Sequence, residues 1–135
     1  MEVELKHIEG LQFKAVSDSN HAIILDSKIS AKYGQGARPM ELILMGLVGC
    51  AGMDIVSLLQ KMRIQFNDFV VTAKADIAEE HPKVFTSIHI IYKVYGNVDK
   101  SKLERAIELT ESRYCPVYVM LKKSVPISYE YKIIS

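Results

Sequence analysis

A long apolar segment in the middle of the chain constrains the fold more than any other feature. The pattern predicts a helix from Pro39 to Met62 that is almost wholly apolar until Asp54, and a helix of this kind is buried on most of its sides. Proline suits the first turn because its missing N–H is not needed there. Three glycines recur at every third position and leave one stripe without side chains, so we expect another backbone to approach closely at Gly46, Gly49 and Gly52.

The segment is too short to be predicted as a membrane span. Its longest uncharged apolar run, Leu42 to Met53, has twelve residues, whereas a span needs about 20. The chain opens without the basic and then apolar pattern of a secretory signal. A net charge of +1 with no block of Lys or Arg gives no electrostatic footprint for nucleic acid or anionic lipid. We therefore expect a cytoplasmic protein with no nucleic-acid or membrane partner.

Alternating apolar and polar residues predict strands on both sides of this helix. Period-two alternation between turn residues is typical of half-buried antiparallel strands, and residues 27–38 indicate a loop. Later segments predict two further helices, one amphipathic and one short and apolar. The predicted strands cover residues 1–26 (three strands), Phe69–Ile77, Val84–Tyr95 and Ile127–Ile133, and the two helices run from Asp99 to Ser112 and from Val117 to Lys122.

The order of these elements favours one fold class. Strands grouped around buried helices are typical of α+β proteins and not of a doubly wound sheet. No internal repeat, low-complexity tract or linker interrupts the pattern. We therefore expect a single domain over residues 1–135.

The two cysteines are the residues most able to carry chemistry. In a reducing cytoplasm, a cysteine pair is more often catalytic or redox-active than structural. Cys50 lies in the apolar helix beside Gly49, where a small molecule can reach its sulfur, although a cysteine in such a helix is usually a small core residue. Cys115 precedes Pro116 near a helix N-terminus, which favours a thiolate, or it is a buried residue at a helix junction. The cysteines are 65 residues apart and outside any C-x-x-C motif, so the spacing does not establish that the sulfurs meet.

Asp54 lies one helical turn after Cys50 on the same face of the helix. A carboxylate does not itself activate a thiol, but Asp54 could hold an Arg or accept hydrogen bonds from a neighbouring segment. Two cysteines and scattered histidines lack zinc-ligand spacing, and no nucleotide-binding motif is present. The sequence therefore predicts neither a metal nor a cofactor.

Two segments taken together resemble the OsmC family, which includes the organic hydroperoxide resistance proteins. The first is Pro39-Met40-Glu41-Leu42 followed by Gly49-Cys50, Met53-Asp54-Ile55-Val56 and Leu59–Arg63, and the second is Leu103–Leu109 followed by Tyr114-Cys115-Pro116-Val117. The resemblance covers essentially the whole chain. It implies an α+β fold with an antiparallel sheet and a central buried cysteine-bearing helix, in which two chains intertwine into a homodimer.

The resemblance also implies a reaction. Cys50 would be the peroxidatic thiolate that attacks a hydroperoxide and becomes a sulfenic acid. Cys115 would be the resolving thiol that condenses with it to a disulfide, which an external dithiol, lipoyl-type in some members, reduces by thiol–disulfide exchange. An apolar pocket lining, expected from Met40, Met45 and Met53, would favour organic hydroperoxides, although the same methionines are more simply interpreted as core residues.

The sequence departs from the hydroperoxide resistance branch, which uses an N-terminal Arg and a Glu directly after the proline. Here no Arg occurs before Arg38, Met40 follows Pro39, and Glu41 comes one residue later, about 100° further around a helix. Arg38 could supply the cation that lowers a thiol pKa, or it faces solvent. The alternative functions are a redox-responsive or small-molecule-binding protein with little peroxidase activity, a thiol enzyme that acts on another electrophile, and a purely structural dimer.

Overall fold

Six strands and three helices follow one another in the predicted order in a computed structural model that describes residues 1–27 and 34–135. Residues 28–33, which belong to the predicted loop over 27–38, lie outside the described residues. The elements are β1 (Val3–Glu9), β2 (Gln12–Ser17), β3 (Ala22–Leu25), α1 (Pro39–Lys61), β4 (Asp68–Ile77), β5 (Phe85–Tyr95), α2 (Lys100–Leu109), a π-helical turn (Thr110–Tyr114), α3 (Pro116–Leu121) and β6 (Ile127–Ile134). The predicted α+β class is confirmed.

The described residues form two compact units, and the first, Met1–Met45, contains a three-stranded sheet. β2 lies between β1 and β3, and both pairings are antiparallel, as predicted. The predicted half-burial is not found along β1, where every residue is exposed. Alternation in a sequence shows that one face of a strand is apolar, but it does not show that the same chain covers that face.

The second unit, Gly46–Ser135, contains a mixed sheet with β5 in the middle. β4 pairs with β5 in antiparallel register, whereas β6 pairs with β5 in parallel register, from Ile88 opposite Ile127 to Tyr95 opposite Ile134. The expectation of an antiparallel sheet is therefore wrong for this pair. The reason is that α2, the π-helical turn and α3 form a crossover between β5 and β6, and parallel strands need such a connection.

One stripe of α1, one stripe of α2 and alternate residues of β5 form the core of the second unit. The residues of α1 recur every four positions, which is the spacing of one helix face. The fully buried core side chains are Leu47, Ala51, Ile55 and Leu59 of α1, Ile90, Tyr92 and Val94 of β5, and Leu103, Ala106 and Ile107 of α2.

Only one face of α1 in the second unit is buried among the described residues, although the sequence predicts burial on most sides. Met53, on another face, is 77% exposed. An ideal Cβ built on Gly46 or Gly49 meets no other described residue within 4 Å, and one on Gly52 meets only a side-chain carbon of Val71, at 3.6 Å. The predicted close approach of a backbone is therefore wrong for this chain taken alone.

Among the described helices, α1 is long and apolar enough to cross a membrane by length and composition. The sequence predicts no membrane span because the uncharged apolar run has only twelve residues. The helix that contains this run is longer, with 23 residues. The core helices of soluble proteins have the same character. Since α1 also buries a stripe in the second unit and carries Asp54 mid-helix, where lipid would make a carboxylate costly, we interpret it as a core helix.

Candidate functional site: two thiols and a carboxylate

Cys50, Asp54 and Cys115 meet in the second unit. Cys50 and Asp54 lie one turn apart on α1, and Cys115 lies at the start of α3. The two Sγ atoms and a carboxylate oxygen of Asp54 all lie within 4.8 Å of one another. Both cysteines are free thiols. The fold thus brings together two sulfurs whose proximity the sequence spacing does not establish.

The geometry of Cys115 follows from its position between two helical segments. Its backbone N–H donates to the carbonyl of Thr110 at 2.9 Å and closes the π-helical turn. Its backbone is extended, with φ −83° and ψ 103°, and Pro116 begins α3. The Sγ atom accepts a hydrogen bond from the backbone N–H of Tyr118 at 3.4 Å. Cys115 is therefore the N-cap of α3, and its side chain is fully buried.

The two thiols differ in accessibility and in electrostatic environment. Cys50 is partly exposed, whereas Cys115 is fully buried. Burial and, next, a hydrogen bond with Cys50 raise the pKa of Cys115, and the N–H of Tyr118 lowers it by less. Burial thus outweighs the effect of the helix N-terminus, which the sequence analysis expects to favour a thiolate at Cys115. This thiol keeps its proton at neutral pH and can donate it towards Cys50.

Asp54 has an unusual position for a carboxylate. Its Oδ2 atom is buried and has no hydrogen-bond partner within residues 1–27 and 34–135, so the Arg that the sequence suggests is not found there. The residue also lines a hollow of about 170 Å³, together with Ser57, Leu58, Lys61 and Tyr114. A buried acceptor without a donor costs about 1–3 kcal/mol. Such an atom calls for a functional or structural explanation.

Glu111 is a site neighbour that the sequence analysis does not identify. It is 9% exposed, and its Oε2 accepts a hydrogen bond from the hydroxyl of Tyr92 at 3.0 Å. Burial raises the pKa of Glu111, and hydrogen bonds from Tyr118 and Tyr92 lower it by less. Tyr118 thus joins this buried acid to Cys115, because its backbone N–H is the donor to the Cys115 sulfur.

A signal for Glu111 does exist in the sequence. In the predicted helix from Asp99 to Ser112, Glu111 follows Leu103 and Ile107 at successive intervals of four and so falls on the apolar face. Tyr92 packs its ring edge-on against Phe69 and Tyr129, which is a packing role in the sheet. The hydrogen bond to Glu111 is additional to that role.

Arg38 and Glu41 form an ion pair in the first unit. Arg38 Nε lies 3.1 Å from Glu41 Oε1, and the Arg38 backbone N–H donates to the same oxygen at 2.8 Å. Glu41 occupies the third position of α1 and so satisfies the N-cap backbone as in a capping box. Arg38 also holds the pKa of Glu41 below its usual range. Glu41 thus has a structural role at the helix start, and a role of either residue at Cys50 stays a prediction.

An apolar groove of about 390 Å³ lies beside α1 in the second unit. It is lined by Gly52, Met53, Val56, Ser57, Gln60, Phe69 and Val71. Met53 is one of the three methionines expected to line a pocket. Met40 and Met45 belong to the first unit, and their contribution stays a prediction.

Comparisons with known proteins agree with the resemblance seen in the sequence. A family model described as OsmC-like protein matches residues 32–130. Protein YhfA of Escherichia coli strain K12 is 35% identical over 136 aligned positions, which cover 100% of this chain and 99% of that protein. A hypothetical protein from Aquifex aeolicus VF5 is 32% identical, with a TM-score of 0.84 over 99% of this chain and 97% of that one. The organic hydroperoxide resistance protein OhrB of Bacillus subtilis is 15% identical, with a TM-score of 0.70 over 97% and 96% of the two chains, and shares the fold.

Proposed function

The chain belongs to the family of OsmC-like proteins, and we propose that it is a thiol-dependent reductase of organic hydroperoxides. Cys50 is the peroxidatic residue and Cys115 the resolving residue. The observation that carries the proposal is the close approach of two free thiols of unequal exposure, one partly exposed and one fully buried. The fold shared with a protein named for organic hydroperoxide resistance supports the choice of substrate.

In the first step, the Cys50 thiolate attacks one oxygen of the hydroperoxide. The S–O bond forms as the O–O bond breaks, the sulfur is oxidised to a sulfenic acid, and the alkoxide leaves and takes a proton to become an alcohol. The partial exposure of Cys50 lets the peroxide reach it. Cys115 keeps its proton because burial raises its pKa, and it is therefore the less suited of the two to attack the peroxide.

In the second step, the Cys115 sulfur attacks the sulfenic sulfur, a disulfide forms and water leaves. The S–S bond is about 2.05 Å long, so the sulfurs, now within 4.8 Å, must close by less than about 3 Å. The extended residue Cys115 lies between two helical segments, which is a place where a small backbone rotation moves a side chain. An external dithiol then reduces the disulfide and is itself oxidised to a disulfide.

The protein acts as a cytoplasmic homodimer in this proposal. Apolar side chains of α1 outside its buried stripe are exposed in the single chain, including Ile43, Met45 and Met53, and exposed apolar surface of this kind marks association sites. Light scattering at micromolar concentration should give twice the mass of the chain. A monomer mass would contradict this part of the proposal and leave the chemistry open to its own test.

Arg38 is the candidate cation for the Cys50 thiolate in this proposal, with Glu41 as its partner. Arg38 directly precedes α1 and Glu41 lies in its first turn, and the same helix carries Cys50. Arg38→Lys should then retain most of the rate at which iodoacetamide alkylates Cys50 at neutral pH, and Arg38→Ala should reduce it. Equal rates in both variants and the native protein would limit Arg38 to its structural role.

The test is the mass of the reduced protein after one equivalent of cumene hydroperoxide, with the remaining thiols trapped before analysis. The native protein should lose two hydrogens, and peptide mapping should link Cys50 to Cys115. Cys115→Ser should stop at the sulfenic acid, which dimedone traps at Cys50. Cys50→Ser should consume peroxide far more slowly than the native protein.

Oxidation of methionine also adds oxygen to the protein. A control sample whose thiols are both alkylated before peroxide is added measures the part of the mass change that comes from methionine. A native protein whose two thiols remain free would refute the peroxidase. That outcome would favour a small-molecule-binding protein, for which the apolar groove along Met53 and Val71 is the supporting observation.

A further inference from the structure

We propose that the reduced thiol pair and Asp54 form a binding site for Zn²⁺, and that the bound metal withholds the thiols from peroxide. The ligands are the two sulfurs and one carboxylate oxygen of Asp54. The metal binding is independent of the peroxidase, whereas the protection from peroxide rests on the proposed function.

The donor geometry is close to that of a zinc site. With Zn–S distances of about 2.3 Å and a Zn–O distance of about 2.0 Å, tetrahedral coordination separates neighbouring donors by about 3.5–3.8 Å. The three donors already lie within 4.8 Å of one another, so they need to close by about 1 Å. Cys50 and Asp54 are fixed relative to each other by one helix, and Cys115 by the cap of another.

The donor types also select the metal. Two thiolates are soft ligands that suit zinc, whereas magnesium and calcium prefer sites made of oxygen. The site is assembled from two distant parts of the chain, which explains why the sequence shows no zinc-ligand spacing and predicts no metal.

The surroundings of the Asp54 carboxylate also favour a bound cation. One carboxylate oxygen of Asp54 belongs to the donor cluster, and its buried Oδ2 has no hydrogen-bond partner among the residues that the structure describes, so a cation held by this carboxylate would compensate for the missing donor. A zinc ion with three protein ligands takes water as its fourth ligand, and the hollow of about 170 Å³ that Asp54 lines has room for water beside this carboxylate. Binding would therefore offset the cost of a buried acceptor without a donor.

The binding reaction involves no oxidation. Zn²⁺ displaces a proton from each thiol that carries one, two Zn–S bonds form, and the protons pass to the buffer. The disulfide has no thiolate to offer, so zinc binding and the oxidised state exclude each other. Zinc would thus hold the reduced site in a form that peroxide oxidises more slowly.

The test is calorimetric titration of fully reduced protein with zinc chloride in the absence of oxygen, in two buffers of different ionisation enthalpy. We expect one zinc per chain with release of about one to two protons, and no binding by the disulfide form. Asp54→Asn should weaken binding about tenfold or more, and Cys115→Ser should weaken it further. Circular dichroism should be used to check that each variant is folded.

Two variants test whether zinc binds at the protein surface instead. His89 and Glu130 form an exposed pair at 3.0 Å that could hold zinc by itself. If zinc binds at the thiol pair, His89→Gln should leave the zinc affinity unchanged. Asp68→Asn, an exposed aspartate outside the site, is the matched control for Asp54→Asn. Loss of binding in His89→Gln, or equal binding by the native protein and a folded Asp54→Asn, overturns the proposal.

A competition experiment separates this inference from the peroxidase. Preincubation with zinc should slow disulfide formation by cumene hydroperoxide about tenfold, and EDTA should restore the rate. Rapid oxidation with no zinc binding would overturn the zinc site alone. Zinc binding without any oxidation of the free thiols would overturn the peroxidase and leave the metal site.

Discussion

The buried hydrogen bond between Tyr92 and Glu111 should be a main source of stability beside the thiol pair. Tyr92→Phe removes the hydroxyl that donates to Glu111 Oε2 at 3.0 Å and keeps the ring. The edge-on contacts with Phe69 and Tyr129, with centroids 6.4 Å and 6.1 Å apart, are therefore retained. The change isolates one buried hydrogen bond.

The size of the loss follows from the burial of both partners. Tyr92 is fully buried and Glu111 is 9% exposed, so water cannot replace the lost donor. A hydrogen bond to an ionised carboxylate contributes about 1.5–3 kcal/mol to stability, and we expect Tyr92→Phe to cost about 2 kcal/mol in a buffer alkaline enough to ionise Glu111. That is about a 30-fold change in the unfolding equilibrium constant. Glu111 keeps the hydrogen bond from Tyr118, which is why the loss should stay below the upper limit.

Urea denaturation at fixed protein concentration measures this loss as a midpoint shifted down by about 1 M with an unchanged slope. Tyr131→Phe is the matched control, since the Tyr131 hydroxyl donates to Glu104 at a site that water can reach, and it should cost much less. A double-mutant cycle with Glu111→Met then isolates the pair. Additive losses in the cycle, or equal losses for Tyr92→Phe and Tyr131→Phe, would show that the buried hydrogen bond contributes no special stability.

Burial predicts two further changes in stability. Because burial raises the pKa of Glu111, its contribution is fully present below the ordinary carboxyl pKa and is lost as the pH rises through the raised pKa. The stability of Glu111→Gln relative to the native protein should therefore improve between about pH 4 and about pH 8, and a constant difference in urea denaturation would contradict this sign. Ile90→Ala, at a fully buried position of β5, should cost about 2–5 kcal/mol, whereas Ile77→Ala, at a 52% exposed position, should cost far less by the same measurement.

The sequence predicts the elements of the fold well because each has a strong local signal. Proline at the start of α1 and an apolar pattern over many turns predict the helix from Pro39 to Met62, and the structure ends it at Lys61. The alternation in Val84–Tyr95 predicts β5, whose buried residues follow that alternation. Local periodicity is sufficient to predict the type and the bounds of an element whose own sequence pattern decides which of its residues are buried.

The direction of β6 could not be predicted in the same way. Alternation in Ile127–Ile133 shows which side chains share a face, and it is the same for parallel and antiparallel pairing. The pairing depends on how far the chain travels between β5 and β6. The π-helical turn at Thr110–Tyr114 is part of that path, whereas the sequence predicts a helix that ends at Ser112.

The sequence points to three residues of the candidate site but not to their arrangement. Cys50 and Asp54 share a helix face by their spacing of four, which the sequence shows directly. Their proximity to Cys115 depends on the packing of a segment more than 60 residues away. The burial of Glu111 is not predicted because a charged residue on a helix is normally assigned to the solvent-facing side.

The mixed sheet and the position of Cys115 have a common origin in the crossover. The bond from the Cys115 N–H to the Thr110 carbonyl spans five residues, whereas α-helical bonds span four, and turns of this type are frequent at functional sites. Pro116 then disfavours the helical conformation at the residue before it, so Cys115 is extended and can cap α3 with its sulfur. The same crossover aligns β6 parallel to β5 and places Glu111 beneath Tyr92. The Cys-Pro pair therefore determines the local geometry of the buried thiol, and the long-range packing of the crossover brings that thiol to Cys50.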